Sequence, residues 1–202
     1  MNKSSQSRAS DQTSSDQQAE TPALPENQLP APQGIGMAVA FDWGLVVQIL
    51  VMPFLPLLLG NKSSFFPFLK FGTAINTIVS FIIVLPFAAL LAIFGEGVRR
   101  GWRWTRPVQV AANVLLFLAG VVSLYNLWQS SKQGNYWPVV TEVILVIFSP
   151  LIAWRMSRPA TRVWFARVTS REARVRHGGA WPWLIAIWAI VGGILQAIAA
   201  SR

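Results

Sequence analysis

The sequence predicts an all-α polytopic membrane protein with four clear transmembrane helices and a fifth, Pro-kinked one. Three observations carry this prediction. Residues 74–94, 108–128, 137–154 and 181–200 are each apolar over a length near the roughly 20 residues that a hydrocarbon core of about 30 Å demands. The 202-residue chain is 53% hydrophobic and 12% charged, about half the charge of a soluble domain. Of its ten tryptophans, Trp102, Trp104, Trp128, Trp137, Trp154, Trp181 and Trp183 fall at or just beyond the ends of those stretches, where an aromatic belt meets the headgroups. None of the stretches alternates like a barrel strand.

Taken in order, residues 1–34 are Ser-, Gln- and Pro-rich with acidic residues and almost nothing to bury. Ordering them would cost roughly 1 to 2 kcal/mol per residue without return, so a disordered tail is expected, and no apolar stretch marks a cleavable signal. Residues 43–60 are uncharged and long enough to span. Asp42 stands at their start, and Pro53 and Pro56 each remove a backbone donor from the second half, so the segment either spans with a kink or enters and turns back. The adjoining SSFFPFLKFG, residues 63–72, suits the headgroup interface.

Next comes the span 74–94, and then GEGVRRGWRWTRP, residues 95–107. Gly95, Gly97 and Gly101 make this one residue too long for a dinucleotide fingerprint, and an apolar span precedes it instead of a strand. The glycines are expected to end one helix at a short turn, with Pro107 starting the next. In the span 108–128, Gln109, Asn113, Gly120 and Ser123 fall near one face; they either pack against neighbouring helices or line a small polar cavity. Asn76, Thr77 and Ser80 gather near the start of the preceding span. Pro86 and Pro150 each interrupt a helix shortly before an Arg-rich loop, where a kink frees a carbonyl.

The loop 155–180 is the more structured one. Residues 160–176 lack Gly and Pro, and a single helix there places Arg167, Arg171 and Arg174 on one face beside a narrow stripe of Trp164, Val168 and Val175. Such a helix suits the inner leaflet, its guanidinium groups at lipid phosphates. In the last span Ala189, Gly193 and Ala197 recur every four residues, letting another helix approach closely, whether from this chain or from a second copy.

Charge then orients the chain. One loop holds Arg99, Arg100, Arg103 and Arg106; another holds Arg155, Arg158, Arg162, Arg167, Arg171, Arg174 and Arg176. The alternate loops hold only Lys62, Lys70 and Lys132, so the positive-inside bias places both Arg-rich loops in the cytoplasm. The net charge of +9 therefore reports topology, and no nucleic-acid partner is expected.

Inside the spans the ionisable group expected is Glu142, some five residues from Trp137. It is expected to reach water or pair with Lys132; the sharper alternative makes it a cation-binding carboxylate at the mouth of a polar path through Asn113 and Ser123. No cysteine and one histidine, His177, are present. No metal site, cofactor or catalytic residue is expected, and outside the tail the acid-base candidates facing the cytoplasm reduce to Glu96, Glu172 and His177.

SPLIAWRMSRPATRVWF, residues 149–165, resembles a stretch of small, uncharacterised multi-pass bacterial membrane proteins, in which a helix ends in an aromatic residue before a basic Arg-Pro and an amphipathic linker. The resemblance covers about a tenth of the chain. It implies the bacterial inner membrane and carries over no binding residue. The function expected is non-catalytic: association with membrane lipids, with a second copy, or with a partner membrane protein, through Arg99, Arg100, Arg103, Arg106, Arg167, Arg171 and Arg174. A small transporter or channel is the alternative.

Overall fold

A computed structural model of the chain describes residues 32–59, 73–176 and 181–201. The expected tail up to residue 31, the interfacial stretch 63–72 and His177 lie outside the described residues. Every described element is helical, and five helices are long and apolar enough to cross a membrane: Gly34–Leu58, Ala74–Arg99, Thr105–Lys132, Pro138–Ser157 and Pro182–Ala200.

The first span begins earlier than expected. Helix α1 runs Gln33–Val51, passes through a 3-10 turn at Met52–Phe54 that contains Pro53, and continues as α2, Leu55–Leu59. Asp42 thus lies inside the helix and not at its start. The run GIGMAVAF before it is as apolar as the WGLVVQILV after it, and the carboxylate finds a side-chain partner, so nothing stops the helix there.

Helix α3, Thr73–Arg99, remains one continuous helix through Pro86, whose ring lies on the exposed side. Its inward face is Thr77, Ser80, Val84, Ala88, Gly95 and Val98, while Ile75, Ile78, Ile82, Phe87, Leu90 and Ile93 point outward. Small and polar residues inside, large apolar ones outside, is the pattern of a helix whose solvent is hydrocarbon and whose packing depends on close approach.

Gly101 ends α3. The amide of Gly101 donates to the carbonyl of Val98 (3.1 Å) and that of Trp102 to Gly97 (3.0 Å), with Gly101 at φ +72°. These paired bonds form a Schellman cap. Gly97 sits beneath the Trp102 ring, where a Cβ would lie 2.6 Å from a ring carbon.

Helix α4, Thr105–Lys132, comes next. The fourth span is composite: α5 (Pro138–Glu142), a π-helical turn (Val143–Phe148) and α6 (Ser149–Ser157). The irregularity sits just ahead of Pro150, which has no amide proton, and the Ser149 hydroxyl donates to the Ile144 carbonyl at 3.2 Å.

The expected single helix over 160–176 is two. Helix α7, Pro159–Arg167, ends where Val168 turns extended (φ −75°, ψ 131°), and α8 covers Ser170–Arg176. Thr169 and Glu172 cap α8 reciprocally: the Thr169 amide donates to Glu172 Oε2 (2.8 Å) and the Glu172 amide to Thr169 Oγ1 (3.4 Å). Arg167 and Arg171 therefore stand on different helices, and the expected stripe dissolves. Trp164 faces the protein core at 5% exposure, whereas Val175 is 77% exposed.

Helix α9, Trp181–Ala200, closes the bundle. Helix α1 packs along α3 and α9 and touches α6; α4 lies against α5, the π turn and α6; α9 meets α5. At the Arg-rich end the core gathers Ile35, Val39, Val98, Ile152 and Met156 with Trp164, Phe165 and Ala173. The second basic loop is thus built into the fold.

Candidate functional site

Two buried carboxylates lie against one face of α4. Its residues Thr105, Gln109, Asn113, Gly120 and Ser123 recur at spacings of three, four and seven, which superpose on a 3.6-residue helix. The first four of these are buried.

Near the Arg-rich end, Gln109 Nε2 donates to Asp42 Oδ1 (2.9 Å), and Asn113 Nδ2 donates to the Gln109 backbone carbonyl (2.8 Å). Asp42 is 4% exposed, Gln109 and Asn113 1% each. Gly95 leaves room for this cluster, since a Cβ there would stand 3.1 Å from Asp42 Cβ. Asp42 Oδ2, Gln109 Oε1 and Asn113 Oδ1 have no hydrogen-bond partner.

Toward the other end of α4, the Ser123 hydroxyl is bonded to Glu142 Oε1 and also lies 3.3 Å from the Gly120 carbonyl. Glu142 is buried and its Oε2 has no partner. The expected routes for this carboxylate, to water or to Lys132, are replaced by Ser123, while the Lys132 ammonium sits 3.5 Å from the Trp128 ring centroid. Glu142 ends α5 where the π turn begins.

Asn113 and Ser123 are ten residues apart, about 15 Å along the helix. Of the residues expected on one path, Ser123 bonds Glu142, while Asn113 bonds the Gln109 backbone one turn along α4 from the side chain that meets Asp42. Between the two clusters Gly120 meets Leu145 closely, a Cβ at 120 falling 2.6 Å from Leu145 Cβ. Sequence reasoning misses Asp42 as a site residue because a charge beside an apolar run reads as a boundary; the uninterrupted apolar residues on both sides of it are the available signal.

The arginines divide by task. Arg99 and Arg100 both engage Glu96 at 2.6 Å. Arg103 donates to the Ala166 carbonyl (3.0 Å), and Arg106 to the carbonyls of Met156 (3.0 Å) and Ser157 (3.4 Å), so these two tie the first basic loop to the ends of α6 and α7. Arg158 stacks on Trp154 at 3.9 Å. Arg162, Arg167 and Arg171 are exposed, and Arg174 lies on α8. Glu96 and Glu172 each have a structural role, in the arginine pair and the α8 cap.

The small residues of α9 meet α1 of the same chain. A Cβ on Gly193 would stand 2.5 Å from the Gly44 carbonyl oxygen and 2.7 Å from Val47 Cβ, and one on Gly44 would stand 3.7 Å from the Ala189 carbonyl oxygen. Ala189 and Ala197 are buried.

Among the described residues no three His, Cys, Asp or Glu side chains cluster as metal ligands. No protein-family model, curated protein or solved structure matches the chain.

Proposed function

We propose that this chain is a non-catalytic component of the bacterial inner membrane whose Arg-rich end faces the cytoplasm and holds anionic phospholipid headgroups. The observation that carries this reading is the platform of α7 and α8. Trp164, Phe165 and Ala173 anchor it in the core, while Arg162, Arg167 and Arg171 are exposed. A platform anchored in this way presents guanidinium groups at a fixed height, where each contributes about 1 kcal/mol near an anionic surface. Exposed Trp104 and Trp154 at the same end suit the headgroup level. An apolar groove along α3, lined by Ile83, Phe87, Leu90 and Phe94, reaches Trp104 at this end and suits an acyl chain.

Extraction in mild detergent followed by native mass spectrometry tests this. Retained anionic lipid is expected on the wild type and its loss on the triple charge reversal Arg167→Glu, Arg171→Glu, Arg174→Glu. A lipid-free monomer from native membranes, or a triple variant that retains the same lipid, overturns it. Association with a second copy or with a partner membrane protein appears in the same spectra as added mass.

A second reading, a small transporter, is favoured by one observation: Asp42 and Glu142 are buried toward opposite ends of one α4 face. It requires solute or ion flux in proteoliposomes that Glu142→Ala or Asn113→Leu abolishes, and an absence of flux across a broad solute panel removes it.

A further inference from the structure

An ionised carboxylate inside a bilayer must be neutralised where it stands. Asp42 has no ion-pair partner among the described residues; its hydrogen-bond partner is the Gln109 amide. In this pair Asp42 Oδ2 and Gln109 Oε1 are buried without a hydrogen bond, and one turn further along α4 so is Asn113 Oδ1. All three are acceptors, and the two amide nitrogens are already engaged, one by the carboxylate and one by the α4 backbone. The cluster lacks a positive partner.

A proton on Oδ2 would give a donor to one of the amide oxygens and leave the other orphaned. A hard metal cation takes oxygens from a carboxylate and from amide carbonyls alike. One carboxylate balances one positive charge, which selects a monovalent ion. Gln109 stands four residues from the start of α4, and Gly95, against Asp42, four residues before the end of α3. Asn113 stands eight residues into α4 and Asp42 nine into α1, so the cluster lies about 6 to 14 Å in from the Arg-rich end, and an ion would enter from that end.

We propose that Asp42, Gln109 and Asn113 form an intramembrane binding site for a hard monovalent cation of the sodium class, joining α1 to α4. The site stands apart from the lipid-binding platform and does not require net transport.

The test uses the full-length protein purified in neutral detergent. Thermal unfolding is followed as NaCl replaces choline chloride at constant ionic strength, with LiCl and KCl as further arms. A saturable rise in Tm with Na+ is expected, absent in Asp42→Asn and weakened in Asn113→Leu, with choline inert. Equal Tm in Na+ and choline overturns the proposal, as does an undiminished response in Asp42→Asn. So does a Tm that depends on pH but not on Na+, accompanied by a protonated-carboxyl infrared band missing from Asp42→Asn, since the occupant is then a proton. If Asp42→Asn does not fold, equilibrium binding of radioactive 22Na+ to the wild type decides. Saturable binding displaced by unlabelled NaCl but not by choline chloride supports the site, and the lack of displaceable binding overturns it.

Discussion

Single residues decide where helices stop, and the sequence is most readable there. The glycines at 95, 97 and 101 are expected to end a helix, and each has its own reason: Gly95 admits Asp42, Gly97 lies under Trp102, and Gly101 takes φ +72°. Only the last requires a backbone conformation that side chains resist. Gly101→Ala is therefore expected to destabilise the protein by about 1 to 2 kcal/mol, the cost of the left-handed conformation for a residue with a Cβ, read as a lowered melting temperature in detergent. Asp42 shows where single-residue reading fails. A charge beside an apolar run looks like a boundary, because the penalty for burying it is visible in the sequence and the remote partner that reduces the penalty, 67 positions away, is not.

At the scale of elements, length and apolarity are legible while internal breaks and partners are less so. The 3-10 turn at Pro53 and the continuity of α3 through Pro86 differ although both residues are prolines, since neighbouring packing decides whether a missing bond is tolerated. The division of 160–176 has a local signal in Thr-Ser-Arg-Glu, residues 169–172, the spacing of a capping box. Its weight is hidden by the absence of Gly and Pro. The small-residue stripe of α9 is visible, yet its partner requires three dimensions. Because the atoms facing Gly193 include the α1 backbone, they cannot rotate aside. Gly193→Leu is expected to lose about 1 to 3 kcal/mol from overpacking, and Gly192→Leu, in open space, far less; paired melting curves of the two variants check this.

For the whole molecule, the pattern of spans and loops gives an all-α membrane protein, and the structure adds how the ends are joined. The second basic loop looks like a surface attachment from its charge, because seven arginines outweigh a few apolar side chains in any local count. Trp164 and Phe165 show that those few are what anchor it. The polar face of α4 is visible as a periodicity, but its division into two clusters depends on α1 and α5, which sequence spacing cannot supply. The pairing of α1 with α9 also has a meaning in time. Chains are made and inserted from the N-terminus, so the earliest of the five spans waits for the latest to cover its Gly44 and Val47 face. Until then that face is open to lipid or to any passing helix with a small-residue stripe. Assembly of this bundle is thus completed at its beginning, and a chain ended before residue 181 would leave its first helix without its last.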